Sequence, residues 1–65
     1  MKGIVKKIVH GKNFGFIRAD VTGAEFFFHR SALKNVSWDE LEEGQEVEFE
    51  DVEGEKGPRA EDVYA

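Results

Sequence analysis

Phe14, Phe16, Phe27 and His29 are the side chains whose types and spacing point to a chemistry. They lie in two short segments, Asn13-Phe14-Gly15-Phe16-Ile17-Arg18 and Phe26-Phe27-Phe28-His29. On an extended backbone, successive side chains point to opposite faces. Phe14 and Phe16 therefore share one face, with Gly15 and Ile17 on the other. Phe27 and His29 share one face, with Phe26 and Phe28 on the other. A chain of 65 residues encloses one small core, which cannot take every Phe. With Ile17, Phe26 and Phe28 inward, Phe14, Phe16, Phe27 and His29 turn to water together. An exposed cluster of rings on a sheet is a platform on which unpaired nucleobases stack.

Other chemistries find no footing in this sequence. It has no Cys, and no Ser sits in a nucleophile-elbow context. His10 and His29 have no companions at metal-ligand spacing. Glu25 and His29 point the same way on a strand but are about 13 Å apart by strand rise. No Gly-rich phosphate cradle is present. The expectation is a binding protein rather than an enzyme, with no metal, no cofactor and no small-molecule substrate.

The net charge of −5 argues at first against a polyanionic partner. Its distribution argues the other way. Residues 1–34 carry seven basic side chains against two acidic ones, whereas residues 35–65 carry two basic side chains against twelve acidic ones. A polyanion responds to the local field of the face it meets. The positive charge lies in the same half of the chain as the exposed rings. The acidic run from Glu42 to Glu55 reads as a solvated face turned away from the ligand.

These side chains need strands to hold them. Gly, Asn, Asp and Pro clusters divide the chain into five short runs. Lys2–Val9 is the first, followed by a turn at His10-Gly11-Lys12-Asn13. Phe14–Ala19 and Glu25–His29 are the second and third. A connection over 30–44 follows, with helical turns expected at Ser31-Ala32-Leu33 and Ser37-Trp38-Asp39-Glu40-Leu41. The fourth run, 45–52, contains the strict alternation Glu46-Val47-Glu48-Phe49-Glu50. Gly54-Glu55-Lys56-Gly57 reads as a turn, and the fifth run is 58–64. No segment sustains a period of 3.6, so the expected class is all-β, a small closed barrel over residues 1–65. Closure hides sheet edges. The expected core is Val5, Ile17, Phe26, Phe28, Leu33, Val47, Phe49 and Val63. Ile4, Val5, Ile8 and Val9 do not alternate, so the first strand requires a bulge or burial on both faces.

No stretch approaches the roughly 20 apolar residues of a membrane span. The absence of Cys fits a reducing compartment. A monomeric cytoplasmic domain without membrane contact is expected.

The chain resembles the bacterial cold shock proteins and the related cold shock domain along its whole length. Lys12-Asn13-Phe14-Gly15-Phe16-Ile17 resembles the family's first RNA-binding motif, usually Lys-Gly-Phe-Gly-Phe-Ile. Phe26-Phe27-Phe28-His29 resembles the second, usually Val-Phe-Val-His. Ser31-Ala32-Leu33, Leu41-Glu42-Glu43-Gly44-Gln45 and Lys56-Gly57-Pro58-Arg59-Ala60 also have close equivalents there. The resemblance implies a five-stranded antiparallel OB-fold barrel. It implies binding of single-stranded RNA and DNA with low sequence specificity, an RNA chaperone activity, and a part in transcription regulation. It implies that Phe14, Phe16, Phe27 and His29 stack on bases and that Trp38 stacks with them. It places Lys6, Lys12 and Lys56 near the nucleic-acid backbone.

The departures are specific. Where the family usually has Trp-Phe-Asn in the first strand, this chain has Lys7, Ile8 and Val9. Arg30 stands where the family usually has Phe. Asn13 replaces a Gly, a mild change because Asn tolerates left-handed backbone. Stacking contributes roughly 1–3 kcal/mol per base, so the lost aromatics weaken the platform. Lys7 and Arg30 offer charge in their place, and Arg also stacks through its guanidinium plane. An alternative reading is an acidic OB-fold protein-interaction module with a weakened nucleic-acid face.

Overall fold

The computed structural model describes residues 1–54 and 57–65. Five strands, β1 (Lys2–Val9), β2 (Phe14–Ala19), β3 (Glu25–His29), β4 (Glu46–Gly54) and β5 (Gly57–Tyr64), close into a barrel in the order β1-β2-β3-β5-β4. Neighbouring strands run antiparallel except β3 and β5, which meet in parallel at Phe27 and Arg59. The expected all-β, five-stranded barrel is therefore the observed one, and a further parallel bridge joins Leu33 to Val63. Short 3-10 turns at His10–Lys12 and Arg30–Ala32 follow β1 and β3. The expected turn at 54–57 includes Glu55 and Lys56, which lie outside the described residues.

The interior is the inward half of each alternation. Val5, Ile17, Phe26, Phe28, Val47, Phe49 and Val63 are buried, as expected, while Leu33 is half-buried and packs against them. Ile8, Ala19, Ala32, Trp38, Leu41 and Ala60 complete the core. The first strand resolves its broken alternation with a bulge. Val5 pairs with Ile17 and Lys7 with Phe16, so Lys6 is the extra residue. Lys6 and Lys7 can then both face water while Val5 and Ile8 both face inward.

Beyond Ile4, β1 leaves the β4 ladder, and the segment before β4 completes its hydrogen bonding. The Val5 N–H donates to the Gln45 carbonyl at 2.9 Å and the Gly44 N–H to the Val5 carbonyl at 2.7 Å. The Ile8 N–H donates to the Glu43 carboxylate at 2.9 Å. Buried backbone donors left unpaired are costly, and these are not left unpaired.

Gly15 is the position where a side chain would not fit. Its Cβ would lie 2.4 Å from the Lys7 carbonyl and 2.8 Å from the Phe28 ring. The ladder aligns Ile8, Gly15 and Phe28 in one inward row. The missing side chain leaves the room that the Phe28 ring occupies.

Candidate nucleic-acid interface

The outward half of the same ladder forms two rows. Residues paired across a ladder share a face. Lys7 pairs with Phe16, Phe16 with Phe27, and Phe27 with Arg59. Val9 pairs with Phe14, and Phe14 with His29. Inward Gly15, Ile17, Phe26 and Phe28 hold this arrangement from beneath.

The three rings form one patch. Phe14 and Phe27 have centroids 5.3 Å apart, Phe14 and Phe16 6.0 Å, and Phe16 and Phe27 6.2 Å. These are the spacings of aromatic pairs in contact. Phe14 and Phe16 are half-buried by their neighbours, and Phe27 is 36% exposed. His29 is exposed at the end of the second row. The Ser31 N–H donates to His29 Nδ1 at 3.1 Å, so the ring also caps the turn at Arg30–Ala32. That bond sets the ring's orientation and, in the neutral form, places its proton on Nε2.

The cations differ in availability. Lys7 flanks Phe16 and is exposed. Lys12 and Arg30 are exposed in the turns after β1 and β3, and the Arg30 N–H donates to the Asn13 carbonyl at 2.8 Å, which joins the two turns. Asn13 has φ +59°, the left-handed conformation its side chain tolerates. Lys6, by contrast, is tied to Glu25 at 2.8 Å. The Lys6 hydrogen bond, then its charge, hold the Glu25 carboxyl below the usual carboxylate range. Among the described residues Lys7, Lys12 and Arg30 have no carboxylate partner. The proposed role of Lys56 falls outside the described residues.

Trp38 corrects the expectation of a base-stacking loop aromatic. It is 5% exposed, so neither face of its indole is open to a base. Its ring meets Phe28 edge-on at 6.0 Å and His10 at 5.9 Å, closing the barrel end above the Ile8–Gly15–Phe28 row. The turn that carries it is held by Ser37, whose hydroxyl donates to the Glu40 carboxylate at 2.9 Å, and by Leu41, which is buried.

Arg59 is the residue that sequence reasoning missed. It belongs to the first outward row only because β3 and β5 meet in parallel, and no local pattern announces a pairing between distant runs. With Phe16, Phe27, Glu53 and Pro58 it lines a groove of about 740 Å³ between the aromatic patch and the β4–β5 hairpin. A second concavity, of about 460 Å³, lies around Lys2, Asp20, Glu46, Glu48 and Tyr64. It mixes both signs of charge with a single ring and offers no stack.

The comparisons with known proteins agree with this geometry. The family described as the 'Cold-shock' DNA-binding domain matches residues 1–65. The chain is 48% identical over 61 residues to "Cold shock-like protein CspLB" of Listeria monocytogenes, covering 94% of this chain and 91% of that one. It is 43% identical over 65 residues to "Cold shock-like protein CspB" of Yersinia pestis, covering 100% and 93%. Among solved structures, "drosophila Unr CSD456" superposes with a TM-score of 0.79 at 27% identity. That match covers 97% of this chain and 25% of the other.

Proposed function

The chain belongs to the 'Cold-shock' DNA-binding domain family, a family of nucleic-acid-binding, non-enzymatic domains, and on that footing we propose that its aromatic face binds single-stranded RNA and DNA. The observation that carries this reading is the contiguous patch of Phe14, Phe16 and Phe27 on the outside of the barrel. A small barrel exposes rings in contact at a cost in hydration, and a stack of bases removes that cost. Every base has a π-face, so the reading implies little sequence preference. Holding bases on rings keeps them from pairing, which is the chemistry of an RNA chaperone acting on cytoplasmic transcripts as a monomer. Lys7, Lys12 and Arg30 would meet phosphates along the path, and His29 would extend the stack.

Fluorescence anisotropy of a labelled oligouridine and of a duplex of equal length tests this directly. Single strands should bind better, because pairing covers the stacking faces. Each phosphate contact on a single strand contributes a slope of roughly −0.7 in log affinity against log salt. Two to four contacts, set by the few free cations, give roughly −1.4 to −2.8. Preference for the duplex, or an affinity indifferent to salt, would contradict the proposal.

A further inference from the structure

Two cations beside the aromatic patch are held by carboxylates, and one of these pairs lies where a strand crossing the patch would arrive. Arg59 is the fourth member of the row Lys7, Phe16, Phe27, Arg59. Strand spacing puts it roughly 14–15 Å from Lys7, with the two rings between. Its stem lies against Gly54, where a Cβ would come within 2.9 Å of Arg59 Cδ. That glycine lets the arginine lie flat along the groove wall.

The guanidinium is occupied. Arg59 Nη2 donates to the Glu61 carboxylate, in a pair whose side chains are 45% and 33% exposed. Glu61 stands opposite Glu50 on β4, a like-charge pairing that disfavours the ladder. Arg59 offsets it. Beside Glu61, Asp62 takes Lys34 at 3.4 Å, so that cation is engaged too. Among the described residues, the charges around the Arg59–Glu61 pair are Glu50, Glu53, Asp62 and Lys34, three of the four acidic.

A guanidinium binds a phosphate in the geometry in which it binds a carboxylate. Glu61 and a backbone phosphate therefore compete for the same N–H groups. We propose that Arg59 is a phosphate-binding residue of this face and that Glu61 is a built-in competitor holding it back. This rests on the single-strand reading above. Bound nucleic acid takes Arg59 from Glu61 and leaves that carboxylate opposite Glu50, so the chain binds more weakly than its rings and cations alone would permit.

The test is a double-mutant cycle on the full chain, Glu61→Gln and Arg59→Gln singly and together, read by anisotropy with oligouridine. Thermal melting confirms that each variant is folded, and Glu61→Ser repeats the experiment without a glutamine amide that could itself bond Arg59. Glu61→Gln should tighten binding roughly three- to fivefold at low salt. The gain should shrink as salt rises. It should vanish when Arg59 is also replaced. Equal affinities of the wild type and Glu61→Gln would overturn the proposal. So would an equal gain with and without Arg59, which would make Glu61 a diffuse negative charge. Wild-type binding without coupling in the cycle removes this inference alone. No binding by the wild type or by Glu61→Gln removes the single-strand reading and this inference together.

Discussion

At one end of β2 and β3 the outward residues are Phe14, Phe16, Phe27 and His29, with Arg18 and Glu25 outward at the other end, whereas the outward residues of β4 include Glu46, Glu48 and Glu50. The inward residues of the two regions are of one kind: Ile17, Phe26 and Phe28 on one side, Val47 and Phe49 on the other. Phe26 and Phe49 touch across the interior, with ring centroids 5.1 Å apart. One core thus supports two outer surfaces of opposite character. The inward half of the alternation sets the fold, and the outward half sets what the fold can meet. The second surface repels a polyanion, whereas the exposed cations Lys7, Lys12 and Arg30 flank the first, so the field would favour the aromatic side for such a ligand.

This division makes replacements on one strand pair diverge. Phe28→Ala empties a fully buried position and should cost about 3–5 kcal/mol of stability, read by denaturant unfolding. Such a loss approaches the whole stability of a barrel this small. If Phe28→Ala were tolerated, the inward row would not be the core. The adjacent Phe27→Ala should change stability by less than about 1 kcal/mol yet weaken single-strand binding by about 1–3 kcal/mol. An unfolded Phe27→Ala whose folded fraction binds normally would erase the distinction between the faces.

The aromatic surface can also be extended. Lys7 lies beside Phe16 in the first row, and Arg30 follows His29 at the end of the second. Lys7→Trp with Arg30→Phe should tighten binding to a pyrimidine strand by roughly 1–3 kcal/mol, the gain of added stacking less two phosphate attractions. The gain should grow with salt, because screening weakens the charge contacts that were given up. Weaker binding at every salt concentration would show that the cations are the working contacts.

The smallest effect concerns the Lys6–Glu25 pair at the edge of the patch. Lys6 lowers the Glu25 pKa. The pair's contribution is therefore present above the ordinary carboxylate range and is lost as pH falls through Glu25's lowered value. Lys6→Gln should move the Glu25 titration upward, followed by its side-chain carboxyl NMR shift. Both side chains are about half exposed, so global stability should barely respond. An unmoved titration would mean the pair does not persist in solution.

Much of this was legible in the sequence, for a physical reason. Period-2 alternation and turn residues are local signals, and they located β1, β2 and β3 with their ends and β4 and β5 to within two residues. The same alternation separated Phe16 from Ile17 and Phe27 from Phe28. The broken alternation of Ile4, Val5, Ile8 and Val9 called for a bulge or burial on both faces, and the strand takes the bulge. Trp38 was not legible, because its loop has no period and its direction depends on where Phe28 and His10 come to lie. Arg59 was not legible either. Its place beside Phe27 follows from barrel closure between β3 and β5, which no short window of sequence records.

The central claim is that nucleic acid meets the face built by Lys7, Phe14, Phe16, Phe27 and His29. The measurement that tests it most directly is an amide and aromatic NMR shift map recorded while oligouridine is added to the wild-type chain. The account predicts shifts that saturate together at Lys7, Phe14, Phe16, Phe27, His29 and Arg59, with Glu46, Glu48, Glu50 and the Trp38 ring nearly still. Shifts centred on β4 or on Trp38, with the Phe16 and Phe27 rings unmoved, would contradict it.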